Sequence, residues 1–157
     1  MGDNGPVTFD LERFVDAQAG VHRAVVEELR RGRKTGHWIW FTFPQVAGLG
    51  RSAMAERYAI GSLAEARAYL AHPILGPRLR ECAGLLLAIE GRTAAEILGE
   101  LDAMKVRSSM TLFHRAAPDD ALFGDVLDRF YGGRPDPATD DGLERTRGAE
   151  EDLPSRP

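Results

Sequence analysis

The sequence predicts an all-α protein: a single multihelical domain of six or seven helices with a disordered C-terminal tail. Three observations predict this class. Apolar residues recur at three- and four-residue steps through most of the chain. Two Ser/Thr-x-x-Glu motifs mark helix starts, and the C-terminal residues are acidic and poor in apolar side chains. We expect the helical domain over residues 8–142 and the tail over residues 143–157.

Composition narrows the class of protein. The 157 residues suit one domain, and 43% hydrophobic with 28% charged residues is typical of a soluble globular protein. The net charge of -4 comes mainly from residues 134–157, which hold seven acidic residues against four arginines. Because the rest of the chain is nearly neutral, the sequence carries no strong nucleic-acid signal.

Cysteine content and hydropathy indicate the compartment. Cys82 is the single cysteine, and no Cys/His spacing matches a zinc site, so we expect no disulfide, no metal and no cofactor. No apolar run approaches the roughly 18 residues of a membrane span, and the N-terminus lacks the pattern of a secretory signal. We therefore expect a cytoplasmic protein without membrane contact.

The first helix is predicted from just after Asp10 to about Gly32. Its apolar face recurs at helical spacing through Leu11, Phe14, Val15, Val21, Val25 and Leu29. Arg30 and Arg31 stand at its end, where basic side chains suit the negative end of the helix dipole.

Residues 34–52 concentrate aromatic and polar groups. They contain both tryptophans, two of the seven phenylalanines, one histidine and three glycines. The run 38–43 fits a buried strand or a buried helical turn, but a lone strand would leave its backbone groups unpaired, so helix is predicted. Trp40 is flanked by apolar residues and is expected to be buried, whereas His37 lies at the edge of the run.

Turn and cap signals divide the remaining chain. Pro44 ends the aromatic run, and residues 45–52 form a loop whose glycines permit positive φ or close backbone approach. A helix follows from Ser52, and the next two capped helices start at Ser62 and Thr93. Between those two caps, residues 75–89 carry an apolar stripe that includes Cys82. The last helix, residues 119–131, stops at two glycines.

Residues 101–115 form a helix with hydroxyl groups at its middle. Ser108 and Ser109 stand where a core would prefer apolar residues. Such hydroxyls usually bond to a carbonyl one turn earlier, and the alternative is a pair that faces a ligand. Lys105 lies one turn before Ser109 on the same side of the helix.

The chemistry-bearing residues predict a recognition pocket more than a catalytic centre. There is no G-x-S-x-G or H-E-x-x-H motif, and no catalytic residue is assigned. A nucleotide-like anionic ligand would use a tryptophan face, directional amide or imidazole groups, and basic side chains. The candidate ligand-binding residues are Lys34, His37, Trp38, Gln45, Gly48, Gly50, Arg51, Lys105, Ser108 and Ser109.

Two alternatives stand beside the ligand pocket. In the first, the tryptophans fill the core, and His37 and Gln45 form hydrogen bonds with the loop backbone. The aromatic segment can also belong to a non-catalytic module that binds a protein partner or forms a homodimer. A concave, partly solvated cluster favours a ligand, a flat apolar patch favours an interface, and full burial weakens both.

Three stretches resemble a known family: GRKTGHWIWFTFPQVAGLGRSAMAERYAI, SLAEARAYLAHPILGPRLREC and DAMKVRSSMTLF. They are similar to a small bacterial family, domain of unknown function 1810, over roughly residues 8–142. The resemblance implies a single all-helical domain with no established activity. Some members carry the label calpastatin, but nothing here resembles a disordered calpain-inhibiting repeat.

A more distant resemblance is to the NADAR superfamily, helical proteins implicated in removing ADP-ribose from modified substrates. It is carried by YAIGSLAEARAYL, followed later by DAMKVRSSMTLF. The acidic-His-aromatic motif of that superfamily has no counterpart here, so no catalytic residue is transferred. The resemblance implies an ADP-ribose-like ligand class more than a reaction, and N-glycosidic hydrolysis is the reaction that would accompany it.

Overall fold

The all-α class is confirmed by the structure, a computed structural model that describes residues 8–151, with side chains described to residue 148. Within that range the chain forms ten helices: α1 (Glu12–Gln18), α2 (His22–Arg31), α3 (Ile39–Thr42), α4 (Ala53–Arg57), α5 (Leu63–Ala71), α6 (Leu75–Leu87), α7 (Ala94–Leu98), α8 (Glu100–Ala116), α9 (Ala121–Tyr131) and α10 (Pro137–Glu151). None of these helices combines the length and apolarity needed to cross a bilayer.

The number of helices exceeds the predicted six or seven because several are single turns. Helices α3, α4 and α7 contain only four or five residues each. The predicted first helix is also divided, since the chain leaves helical geometry over residues 19–21 around Gly20, a poor helix former. Helix α2 then ends as predicted at Gly32, whose φ of 74° is the left-handed conformation that favours glycine.

Helix α8 is the central element of the core. It packs against α5, α7, α9, α10 and α3. A continuous row of buried rings crosses it from α1 to α9: Phe14 and Tyr69 lie 5.1 Å apart, Tyr69 and Phe113 5.3 Å, and Phe113 and Phe123 5.9 Å. Cys82 is buried as predicted, and this burial raises the pKa of its thiol to about 12, so it behaves as a small apolar residue.

The two predicted capping boxes differ in detail. At α7 the Thr93 side chain accepts from the Glu96 backbone, and the Glu96 carboxylate accepts from the Thr93 backbone at 2.8 Å, as a full box requires. At α5 the Ser62 hydroxyl caps in the same way, but the Glu65 carboxylate instead accepts from the Gly61 backbone and binds Arg13. Glu65 therefore joins α5 to α1 as well as supporting the start of α5.

Helix α10 is the main difference from the sequence expectation. The first turns of this helix pack on the domain: Thr139 is fully buried, and Arg115 binds both oxygens of Asp140 at 2.9 and 3.1 Å. The helix also continues through residues 143–151, which we had assigned to the tail. Residues 152–157 lie outside the described part of the chain, so their expected disorder stays a prediction.

Burial of the two tryptophans is the reverse of what the sequence predicted. Trp38 is 3% exposed, whereas Trp40 is only partly buried and packs against the edge of the core. The single turn of α3 explains the reversal. Ile39, Phe41 and Thr42 of this turn face the core, and Trp38 precedes the turn, so Trp40 is left on the outer side.

We expect Trp38→Ala to lower the free energy of unfolding by about 3–5 kcal/mol, the usual cost of truncating a buried large aromatic side chain. Trp40→Ala should cost clearly less because part of its ring is already in water. Urea denaturation of both variants, followed by circular dichroism, measures the difference. Equal losses would contradict the assignment of Trp38 as the core residue.

Candidate functional site

The carboxylate of Glu28 positions the aromatic segment. Its Oε1 accepts hydrogen bonds from the backbone N–H of Thr35 at 2.6 Å, from that of Gly36 at 2.7 Å and from Trp38 Nε1 at 3.1 Å. Glu28 is itself buried in α2. These bonds therefore fix the path of residues 35–38 and turn the Trp38 ring toward the core.

Glu28 is held in its charged form. Burial favours the neutral acid and raises its pKa, but the hydrogen bonds from Gly36, Thr35 and Trp38 outweigh burial and leave the pKa below its ordinary value. The buried negative charge is thus compensated by donors whose positions it determines.

Residues 43–52 form a loop that is fastened, near its start, to the chain that follows α4. A parallel bridge joins Val46 to Ile60. The Ala47 N–H donates to the Ile60 carbonyl at 2.8 Å, and the Ile60 N–H donates to the Gln45 carbonyl at 2.9 Å. The segment 47–59, which contains the rest of the loop and α4, therefore leaves the core and returns to it at one place.

Both glycines of the loop have structural roles. Gly48 has a φ of 94°, which side-chain-bearing residues rarely adopt. A Cβ on Gly50 would lie 2.6 Å from the Cβ of Ala55, so only glycine allows α4 to approach the loop this closely. These constraints account for the two glycines without a ligand.

A surface pocket of about 400 Å³ lies between α3, this loop, α4, α8 and the start of α10. A larger hollow of about 680 Å³ lies beside Asp125 and Phe130, but its lining contains none of the candidate ligand-binding residues. The smaller pocket is lined by Trp40, Gln45, Leu49, Gly50, Arg51, Ser52, Ala55, Leu101, Met104, Lys105, Arg107, Ser108, Asp136 and Ala138.

The structure brings half of the candidate residues together. Gln45, Gly50, Arg51, Lys105 and Ser108 all line this pocket. The other five do not line it: Lys34, His37, Trp38, Gly48 and Ser109. The segment and the helix that the sequence singled out thus do meet in space, although through a different tryptophan.

The candidate residues outside the pocket have other surroundings. Lys34 forms a nearly buried ion pair with Asp102 at 2.7 Å, and its ammonium group lies 5.0 Å from the Trp38 ring centroid. His37 is exposed. Ser109 is fully buried, and its hydroxyl has no hydrogen-bond partner in the described part of the chain.

Lys105 and Arg51 give the pocket its available positive charge. The Lys105 ammonium lies 5.2 Å from the Trp40 ring centroid and only 3.5 Å from Asp102, a carboxylate that already binds Lys34 more closely. Arg51 is exposed and makes no hydrogen bond or ion pair with any residue among 8–148. Both side chains are therefore able to bind an anionic group of a ligand.

Asp136 closes the pocket where α10 begins. Its Oδ2 accepts hydrogen bonds from Ser108 Oγ at 2.6 Å and from Thr139 Oγ1 at 2.7 Å, while its backbone N–H donates to Thr111 Oγ1 at 2.9 Å. Burial raises the pKa of Asp136, but the bonds from Ser108 and Thr139 outweigh burial and lower it. The Ser108 hydroxyl is thus used to hold α10.

Sequence reasoning missed several pocket residues. Asp136 followed by Pro137 is a recognisable helix start, a capping residue before a proline at the first helical position, and could have located α10. Leu101 and Met104 are 74% and 67% exposed at the pocket. Both residues are apolar and stand at helical spacing, so the local pattern does not show that they lie on the outer side of α8.

Fold and pocket together define a single-domain, all-helical protein with an aromatic and basic surface pocket. A family model described as "Protein of unknown function (DUF1810)" matches residues 8–143, and the chain belongs to this family. The solved structure of the conserved hypothetical protein Rv1873 from Mycobacterium tuberculosis is similar: 56% identity, 87% of this chain and 97% of that chain covered, and a TM-score of 0.85. No curated protein gives a significant match.

We expect Glu28→Gln to lower the free energy of unfolding at pH 7 by about 1–3 kcal/mol, because an amide accepts the three hydrogen bonds less strongly than a carboxylate. The pKa of Glu28 is lowered on folding, so its contribution is present above the ordinary glutamate pKa of about 4.3 and is lost as the pH falls further. Urea denaturation from pH 7 to pH 3 measures this.

The matched control is Glu27→Gln, which removes a neighbouring carboxylate that is more than half exposed and pairs with Arg23. We expect it to change stability by less than about 0.5 kcal/mol. A Glu28→Gln deficit that persists unchanged in acid would contradict the role assigned to the Glu28 charge.

Proposed function

We propose that the protein binds a small anionic ligand with a flat ring, of the nucleotide type, in the pocket between α3, the 43–52 loop and α8. One observation carries this proposal. A partly exposed tryptophan, Trp40, lies in the same pocket as two cations: Arg51, which pairs with no described residue, and Lys105, whose 3.5 Å ion pair is with a carboxylate that binds another lysine more closely. A site serving only packing has no need of that combination.

The chemistry of each group supports this ligand class. A base stacked on a tryptophan ring contributes roughly 1–3 kcal/mol. The planar guanidinium of Arg51 matches two oxygens of a phosphate, and the Lys105 ammonium adds a second positive charge. The side-chain amide of Gln45 makes no hydrogen bond within the described part of the chain, so it is available to the edge of a base.

The proposal concerns binding, and N-glycosidic hydrolysis lacks comparable support. Asp136 is the one carboxylate among the described residues that line the pocket, and its lowered pKa opposes the proton uptake that a general acid needs. His37, the histidine nearest the aromatic run, does not line the pocket. The pocket therefore favours recognition of a ligand over cleavage of it.

A screen of nucleotides by thermal denaturation tests the proposal. A ligand at 100 times its Kd should stabilise the fold by about 2.7 kcal/mol, which raises Tm by roughly 5–10 °C for a chain of this length. We expect Lys105→Ala and Arg51→Ala each to weaken binding about tenfold or more. Trp40→Ala should weaken it through lost stacking, and Trp40→Phe should weaken it less.

Arg23→Ala is the matched control, because Arg23 is an almost fully exposed cation that does not line this pocket. It should bind as the wild type does. If no nucleotide raises Tm, or if Arg23→Ala weakens binding as much as Arg51→Ala, the proposed function is wrong.

A second candidate function is a protein interface on the same side of α8. Leu101 and Met104, one turn apart, are 74% and 67% exposed beside Trp40, and clustered exposed apolar side chains are typical of interaction surfaces. Such a surface would pair with a second copy of the chain or with another protein. It would use the rim of the pocket and leave its charged floor free.

For a homodimer, this candidate predicts that the wild type has twice the monomer mass in light scattering and that Leu101→Ser with Met104→Ser restores the monomer. Stability should hardly change, because both side chains are largely exposed. A wild type that stays monomeric at high concentration would rule out the homodimer.

A further inference from the structure

The charges around the pocket limit the charge of its ligand. Lys34 balances Asp102, and Arg107 lowers the pKa of Asp136 through its charge. Arg107 also donates hydrogen bonds to two backbone carbonyls at 2.9 Å, which holds it in the wall. Lys105 also pairs with Asp102, at 3.5 Å, but the two lysines exceed this single carboxylate by one positive charge, and Arg51 adds a second.

A phosphate monoester fits these two charges. It carries about -1.5 to -2 charges at neutral pH and presents three oxygens. Nucleoside diphosphates and triphosphates bring further negative charge, which would approach the Asp136 carboxylate without a cation to balance it. Charge therefore favours a ligand with a single phosphate.

The volume of the pocket also favours a ligand with a single phosphate. A volume of about 400 Å³ stands near the lower end of the roughly 300–1,000 Å³ of small-molecule sites. ADP-ribose adds a second phosphate and a second ribose to AMP and would extend outside this space. A single nucleoside with one phosphate matches it better.

Asp136 adds a third constraint on the chemistry of the ligand. Its Oδ2 is occupied by two hydroxyl donors, whereas its Oδ1 accepts one long hydrogen bond of 3.3 Å from the Ala138 N–H. An ionised carboxylate can only accept, so Oδ1 selects a ligand group that donates. The vicinal hydroxyls of ribose are such donors, and carboxylates recognise them in dinucleotide sites.

We infer that the ligand is a nucleoside 5′-monophosphate: Lys105 turns from the Trp40 ring to hold its phosphate together with Arg51, Trp40 stacks on its base, and Asp136 Oδ1 accepts from its ribose hydroxyls. This inference rests on the proposed function and makes it specific. It favours one nucleoside and one phosphate over the larger ADP-ribose class.

Isothermal titration calorimetry of the wild-type chain with AMP, GMP, CMP and UMP tests the inference. The monophosphate that binds most tightly is then compared with four related ligands: the corresponding nucleoside, the corresponding diphosphate, ADP-ribose, and the 2′,3′-dideoxy analogue of the monophosphate. We expect the monophosphate to bind at least about tenfold more tightly than each of these, since each loses or adds a charged or hydrogen-bonded group. Asp136 also holds α10, so removing the hydroxyls from the ligand avoids disturbing the fold.

The outcomes separate the two proposals. A diphosphate or ADP-ribose that binds as tightly as the monophosphate would overturn the inference and leave the proposed function intact. Equal binding of the dideoxy analogue would overturn the role of Asp136. Failure of every nucleotide to bind would overturn the proposed function and the inference together.

Two variants test which side chains bind the phosphate of the ligand. Arg51→Ala and Lys105→Ala should each weaken the monophosphate about tenfold or more while leaving the affinity for its nucleoside nearly unchanged, because the nucleoside lacks the group that they contact. Arg23→Ala should change neither affinity. Equal losses for nucleoside and monophosphate would contradict the assignment of the two cations to the phosphate.

Discussion

The Glu28 carboxylate is the contact on which the site depends. One buried oxygen accepts three hydrogen bonds from the segment that follows α2, and this fixes residues 35–38 before α3 begins. Trp38 is thereby fastened in the core, and the single turn after it leaves Trp40 on the outer side. The apolar character of the aromatic run alone would allow several orientations. The Glu28 charge, which is costly to bury, selects one of them.

Helix α8 contributes to both the core and the pocket along its length. Its inward residues, such as Val106 and Phe113, complete the core, while Lys105 lies against Trp40 at the pocket. Between these two sides, Ser108 and Thr111 bond to Asp136 and hold α10. Polar contacts are needed there because α10 has little apolar surface with which to dock. Stability and the shape of the pocket are therefore coupled through the same hydroxyl groups.

The sequence was sufficient for the fold class and for two of the segments that line the pocket. Repeating apolar spacing and the Thr93 cap depend on neighbours along the chain, so they can be recognised locally. The choice of Trp38 over Trp40 for burial depends on Glu28, ten residues away, and on the direction of a four-residue helix. The role of Asp136 depends on Ser108, which lies far from it in the chain. Such long-range partners have no signature in a local pattern.

The bridge between Val46 and Ile60 has a consequence for how the pocket can vary. The bridge closes the segment 47–59, which carries Arg51 and α4, at one place beside the core. Substitutions at Arg51 can be accommodated within this segment as long as the close approach of Gly50 to Ala55 is kept. One wall of the pocket is thus exchangeable and the other, on α8, is not. A substitution at Arg51 would change the lining of the pocket without rebuilding the core.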